Sequence, residues 1–353
     1  MNPPYLSCNY YCSEGNPREY EKIRVGFEKL KDDRWKLIGS IDPILNFANN
    51  EKERYCIANI AVCYTSKRSL IAENVTEKSK RLSRDPFSHA FDAQIDFSSS
   101  LAWFIERATQ EALEALQRKD MNHTLPDLSA VRMAISKALG DYDEPFIGET
   151  PPALFIRRKG DTSQQYRIEE LSDGYRTMLA LVMDMARRMA VANKHVQWPE
   201  GQSVLHSPGV VLIDEVELHL HPSWQQSVLP TLMEIFPNVQ FIVTTHSPQV
   251  LTSIAAKHIR ILKDGAVRSF TDETEGAEAS RVLEDVLLVS QRPAKLESVN
   301  KLERYAELVY AEKWDSAEAT ALRDELYKHY GSAEPRLKEL ELHIENSKWE
   351  RGL

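Results

Sequence analysis

The 353-residue chain contains no apolar run approaching the roughly 20 residues that a membrane-spanning helix requires. Cysteine is scarce: Cys8, Cys12, Cys56 and Cys63 are the only four. No second Cys or His pair stands at zinc-finger spacing from Cys8 and Cys12, which argues against a structural metal site. So few cysteines in so long a chain fit a reduced, cytoplasmic protein. The opening MNPPYLSCNYYCSEG lacks a basic region followed by an apolar core, so it does not read as a signal peptide. Positive charge is also in short supply. A net charge of −9 argues against a surface built to coat nucleic acid, and the one dense basic run, Lys78–Arg84 (KSKRLSR), reads as a solvated face.

What is present is ordinary for a folded chain, with 42% hydrophobic and 27% charged residues. The length suits one large core or two smaller ones. The N-terminal stretch shows little periodicity and reads as a loop. Two strands are expected around a Lys31–Asp33 turn, and Glu53–Tyr64 (ERYCIANIAVCY) has the composition of a buried strand. Between Asp92 and Ala138 the apolar spacing becomes helical, and Trp103, Phe104, Ala108, Ala112, Leu113 and Leu116 are expected in the core. The turn formers of GDYDEPFIGETPP close that segment. ALFIRRK and QQYRIEEL then read as strands, followed by a long amphipathic helix from Ser172 to about Ala192. Next come a buried strand (PGVVLIDE), a helix (HPSWQQSVLPTLMEIF), a second buried strand (NVQFIVTTHS), a helix over Pro248–Ala256 and a strand pair about Asp264–Gly265. Strands alternating with helices predict an α/β sheet with parallel neighbours. Four parts are expected: a β-rich lobe over 1–91, a helical insertion over 92–150, a core lobe over 151–293, and a charged helical tail over 294–353.

Three places carry chemistry. Val210–Ile213 delivers Asp214 and Glu215 to the carboxyl edge of a sheet, where ligands of open α/β folds bind. One carboxylate there can hold Mg²⁺ through water, and its neighbour can take a proton from an attacking water. The second buried strand ends in His246, with Ser247 placed to cap the helix that Pro248 opens. Before both, Ser172 and Gly174 stand at the start of the long helix, whose free amides and dipole favour an anion. Glycine there lets backbone approach a phosphate. A different reading gathers Asp214, Glu215, His219, His221 and His246 into the metal cluster of a nuclease or hydrolase. The Leu between the two histidines, His219 and His221, suggests that they do not face the carboxylates together. A third reading is a non-hydrolysing scaffold that works through the tail from Ala294.

In this order and spacing, LSDGYR, VVLIDEVELHLHP and IVTTHSPQVL resemble the signature, Walker B and switch-histidine motifs of ABC-type P-loop ATPases. The chain is similar to the RecF/OLD-like AAA ATPases of bacteria, including those of Septu and retron-associated anti-phage systems. The likeness extends over about Tyr64–Arg292, is strong over Glu169–Leu251, and includes the later LKDG. It implies ATP and Mg²⁺ as cofactors, with Asp214 the Mg²⁺ carboxylate through water, Glu215 the catalytic base and His246 the switch residue. It also implies that Ser172 and Gly174 contact the γ-phosphate of a nucleotide held by an opposing subunit, with Arg176 a second contact. Tyr64–Arg68 (YTSKR) loosely matches a segment near the family's site. The implied partners are a second copy or another subunit at the signature face, and an effector nuclease. One piece of the pattern has no counterpart: no glycine in this sequence is followed by lysine, so the Gly-x4-Gly-Lys-Ser/Thr phosphate loop is missing. The expectation is a P-loop NTPase head without its first strand, loop and helix, whether through truncation or because a partner supplies them.

Overall fold

The computed structural model describes residues 57–66, 75–91, 97–149, 152–263 and 266–350, with the backbone of three strands nearer the N-terminus. Those strands, β1 (Tyr5–Asn9), β2 (Lys22–Lys29) and β3 (Trp35–Ile38), form an antiparallel sheet in the order β1-β2-β3. The expected pairing of β2 with β3 is present, while the Lys31–Asp33 turn lies outside the described residues. β1 falls in a stretch read as a loop. Five residues are too few to show a period, and the strand is fixed by its pairing with β2.

The next strand, β4 (Ile60–Tyr64), is followed by helices α1 (Glu77–Leu82), α2 (Phe97–Arg118) and α3 (Pro126–Leu139). The basic run spans α1 and the turn after it, with Lys78, Lys80, Arg81 and Arg84 all exposed. Trp103 and Phe104 of α2 are buried as expected, but Leu113 and Leu116 are 55% and 66% exposed. Polar contacts hold that end of the helix instead. Glu111 accepts from the Leu125 amide and from Arg132, and Glu114 pairs with His123.

Strands β5 (Tyr142–Gly148), β6 (Ala153–Arg158) and β7 (Asp161–Arg167) make an antiparallel meander. β5 occupies the segment read as turns. Its Pro145 sits where the register with β6 shifts between Asp143 and Phe146, one of the few places a strand tolerates a residue with no N–H.

Helix α4 (Asp173–Ala192) leads to β8 (Gly209–Ile213), α5 (Pro222–Gln225), α6 (Val228–Ile235), β9 (Val239–Val243) and α7 (Pro248–Leu251). β8 is the middle of a parallel sheet β4-β8-β9, in which Tyr64, Ile213 and Val243 stand in register. The single helix expected over His221–Phe236 is broken at Gln226–Ser227. Pro230 has no N–H to offer the Gln226 carbonyl, and its ring clashes with that carbonyl in a continuous helix. The helix expected over Pro248–Ala256 likewise stops at Leu251.

The chain divides into two compact units, residues 1–260 with 271–276, and residues 261–270 with 277–353. In the first unit, α2, α3 and α4 share one apolar core with the parallel sheet, so the helical segment is not a separate body. The second holds a hairpin, β10 (Arg260–Lys263) and β11 (Ala266–Ser269), whose turn at Asp264–Gly265 lies outside the described residues. It also holds helices α8 (Ala279–Asp285), α9 (Glu297–Tyr310), α10 (Ala317–Tyr330) and α11 (Pro335–Glu350). Its core includes Leu302, Tyr305, Val309, Leu326, Leu337 and Leu340. Among the described residues no helix is long and apolar enough to cross a membrane.

Helix α4 departs most from its sequence pattern. Asp184, Arg187 and Arg188 look like a solvent face, yet every residue from Thr177 to Ala190 is buried. Asp184 accepts from Arg187 (2.9 Å), Arg188 (2.7 Å), Tyr64 (2.8 Å) and Ser100 (3.1 Å). The two guanidiniums also donate to the carbonyls of Ser83, Asp85, Pro86 and Ser88. Burial pushes the Asp184 carboxyl up, but Arg188 and then Arg187 outweigh it and hold the group well below the usual carboxylate range. Removing this one anion strands two buried cations, so Asp184→Ala should cost roughly 3–5 kcal/mol in urea unfolding at neutral pH. Because the folded value is depressed, the contribution is complete above the unfolded value near 3.9 and fades only as pH falls below it. The gap between wild type and variant should therefore hold from pH 7 to about pH 4. A cost under about 1 kcal/mol would contradict the cluster's role.

Candidate functional site at the carboxyl edge of the parallel sheet

Where β8 ends, the chain turns sharply and its neighbours hold the turn. The Asp214 amide donates to the Tyr64 carbonyl at the end of β4 (2.8 Å). On the other side, the Thr244 hydroxyl donates to Asp214 Oδ1 (2.6 Å) and accepts from the Glu215 amide (2.8 Å). One side chain thus orients the first carboxylate and the backbone of the second. Glu215 has φ 48°, the left-handed region that non-glycine residues rarely occupy, so the turn is imposed by these contacts. Both acids are half-buried. Cys63 lies close by. Burial, and then the Asp214 charge, push its thiol up and keep it protonated.

The backbone around His246 is organised in the same way. The His246 amide donates to Glu217 Oε1 (2.7 Å), while Glu217 Oε2 is buried with no partner. Ser247 accepts from the amides of Gln249 (3.1 Å) and Val250 (3.4 Å), the cap expected before Pro248, and donates to Gln225 (2.6 Å). Asp214, Glu215 and His246 therefore share one sheet edge, as their strand-end positions predicted. Thr244 and Glu217 were not singled out from the sequence, although Thr244 sits in the TTHS run and Glu217 two residues beyond Glu215.

The start of α4 forms the second face. Ser172 occupies the N-cap position, but its side chain makes no capping hydrogen bond. Asp173 pairs with Arg176, whose Nε is buried without a partner. Gly174 was expected to admit a phosphate, yet the structure supplies a nearer reason for glycine. A Cβ there would stand 3.0 Å from the His219 carbonyl oxygen, so helix and loop touch backbone to backbone. Tyr175 wedges in beside them, edge-on to Trp224 (4.3 Å) and Tyr142 (5.1 Å), with its hydroxyl on Asp141 (2.7 Å). Burial, then the Asp141 carboxylate, raise its pKa well above the ordinary tyrosine value.

The two histidines of the loop stand apart in conformation and contacts. His219 has φ 64°, and His221 caps α5 by accepting from the Ser223 amide (3.4 Å). Among the described residues no three His, Cys, Asp or Glu side chains are grouped to hold a metal ion, so the nuclease cluster finds no support in the geometry. Of the YTSKR segment, Lys67 and Arg68 lie outside the described residues.

The donor set fits a nucleotide and its cation in two parts. Asp214 offers a carboxylate oxygen at the strand edge, and the buried, partnerless Glu217 Oε2 leaves an acceptor in want of a donor. The uncommitted Ser172 hydroxyl and the first amides of α4 suit phosphate oxygens. The Gly174 contact has its own test. Gly174→Ala adds helix propensity worth about 1 kcal/mol but crowds a carbonyl that cannot swing aside, so a net loss of about 1 kcal/mol in urea unfolding is expected. A stabilised variant would show that helix and loop are not pressed together.

The chain has relatives of matching character. It is 44% identical over 181 residues to the retron Ec83 probable ATPase of Escherichia coli, covering 51% of this chain and 32% of that protein. It is 32% identical over 219 residues to the retron Vc95 probable ATPase of Vibrio cholerae, covering 60% and 41%. The Septu protein PtuA of Bacillus mycoides is 35% identical over 109 residues, covering 31% and 14%. The chain thus spans well under half the length of the curated relatives it matches. Among solved structures, the SMC head domain from Thermotoga maritima aligns with 71% of this chain and 70% of its own at 14% identity, with a TM-score of 0.32. Residues 30–252, which include both faces of the site, match the family described as AAA domain, putative AbiEii toxin, Type IV TA system, and the chain belongs to that family.

Proposed function

We propose that this chain provides the Walker B and signature faces of an ATP-hydrolysing AAA ATPase of a retron- or Septu-like anti-phage system. The observation that carries the reading is the Thr244 bridge, which fixes Asp214 and Glu215 side by side at the end of the central parallel strand. Asp214 would hold Mg²⁺ through water. When bound, the ion offsets negative charge on the phosphoryl oxygens. Glu215 would accept the proton of the attacking water, and His246 would contact the γ-phosphate end of the site. Across the assembly, Ser172, the Gly174 amide and Arg176 would meet the phosphate of a nucleotide held by the opposing subunit. Family membership and the retron and Septu relatives support this reading.

The phosphate-holding loop has no counterpart within these 353 residues, so the reading places it in polypeptide outside them. The assembly would be a homodimer or hetero-assembly through the signature face. ATP turnover would control a partner effector, which the resemblance suggests is a nuclease. The 353-residue chain by itself should show negligible ATP hydrolysis. The assembly isolated from its native cells through a tag on this chain should hydrolyse ATP with Mg²⁺. Glu215→Gln should cut that turnover by on the order of 100-fold or more while nucleotide stays bound. Turnover indifferent to Glu215→Gln would remove this chain from the reaction. Turnover by the lone chain that Glu215→Gln abolishes would place the phosphate loop within it.

A further inference from the structure

We infer that Tyr64 and Asp184 are positioning residues that tie the backbone of Asp214 to helix α4, so that the start of that helix and the carboxylate edge move as one piece. The role assigned to Asp214 rests on the ATPase reading; the linkage itself does not. It is a short chain of bonds. Asp184 on α4 accepts from the Tyr64 hydroxyl (2.8 Å), and the Tyr64 carbonyl accepts from the Asp214 amide (2.8 Å). Tyr64 is thereby held at both ends, its ring by the helix and its backbone by the strand that presents the acid.

Three further features make this connection stiff. Tyr64 and Asp184 are both buried, so water does not compete for their hydrogen bond. Burial and the Asp184 charge raise the Tyr64 hydroxyl well above its ordinary value, so it stays a donor. Arg187 and Arg188 lock Asp184 in place and reach on to the carbonyls of residues 83–88. That loop leads to Ala90, whose carbonyl accepts from the Cys63 amide (2.7 Å) one residue before Tyr64. The same helix touches the loop beyond β8 a second time, where Gly174 meets the His219 carbonyl. Helix α4 therefore holds the end of β4 and the loop beyond β8 at two points about 15 Å apart along its axis, at roughly 1.5 Å per residue from Gly174 to Asp184. An anion that draws on the start of α4 would be felt at Asp214 without any contact between them.

Hydrogen exchange of the full chain tests the linkage with no nucleotide present, and so separately from the ATPase reading. Tyr64→Phe keeps the ring and removes only the hydroxyl. It should speed exchange of the Asp214 amide about fivefold while amides of α3 keep their wild-type rates. Ser100→Ala, which removes a different donor to Asp184 but leaves the Tyr64 bond, should loosen the cluster and change the Asp214 amide clearly less. An unaltered Asp214 amide in Tyr64→Phe, a uniform rise across the unit, or an equal effect from Ser100→Ala would overturn the proposal. In the native assembly, Tyr64→Phe should also raise the Mg²⁺ concentration needed for half-maximal ATP hydrolysis. If the assembly has no Glu215-dependent turnover but the exchange result stands, the linkage survives and the ATPase reading fails.

Discussion

The first unit depends on an acid that cannot leave its place. Asp184 sits in the middle of a helix surrounded by protein, and its charge is tolerable only because two guanidiniums, a phenol and a serine hydroxyl surround it. A lone buried carboxylate of this kind would cost several kcal/mol, and so would either arginine without it. The members of the cluster are therefore bound together through Asp184, and the cluster joins four separate stretches of chain: the end of β4, the 83–88 loop, α2 and α4. An apolar core would have packed these elements as well. It would not have fixed the azimuth of α4 or the height of Tyr64 with comparable exactness, because hydrophobic contact has no direction.

From that constraint the geometry of the site follows in steps. Tyr64 is placed by Asp184, the Asp214 amide by Tyr64, and the Asp214 carboxylate by Thr244 from the opposite strand. The left-handed turn at Glu215 is held between them, and the loop after it is pressed onto the start of α4 through Gly174 and Tyr175. The result is two faces with different chemistry in one compact unit. One presents carboxylates at a strand end and suits a cation and a water. The other presents a helix start with a serine hydroxyl that does not cap it, and suits an anion. A protein that needs both for a single nucleotide can divide them between two subunits, and association then completes the site.

Much of this was legible in the sequence where the signal is local. The β-prone run before Asp214, the Ser247–Pro248 cap and the pairing of β2 with β3 are each set by a few neighbouring residues. The failures share another cause. Pro145 reads as a turn until β6 supplies a register shift to hold it. The amphipathic pattern over Ser172–Ala192 does not reveal that Asp184, Arg187 and Arg188 are buried, because residues far earlier in the chain close over them. Leu113 and Leu116 keep helical spacing although the body of the unit does not reach that far along α2. At Gly174 the sequence does not reveal the close backbone contact, because the carbonyl it accommodates belongs to His219 on another element. Thr244 and Glu217 went unremarked because their value lies in what they hold, Asp214 with Glu215 and the His246 backbone, and not in chemistry of their own.

The central claim is that both faces of this chain meet nucleotide phosphate. Photolabelling the native assembly with an ATP analogue reactive at its γ-phosphate, followed by peptide mapping, tests it most directly. Mg²⁺-dependent labels are expected between Ser172 and Arg176 and at or beside His246, with excess ATP suppressing both. Labels confined to other parts of this chain, or none that ATP displaces, would contradict it.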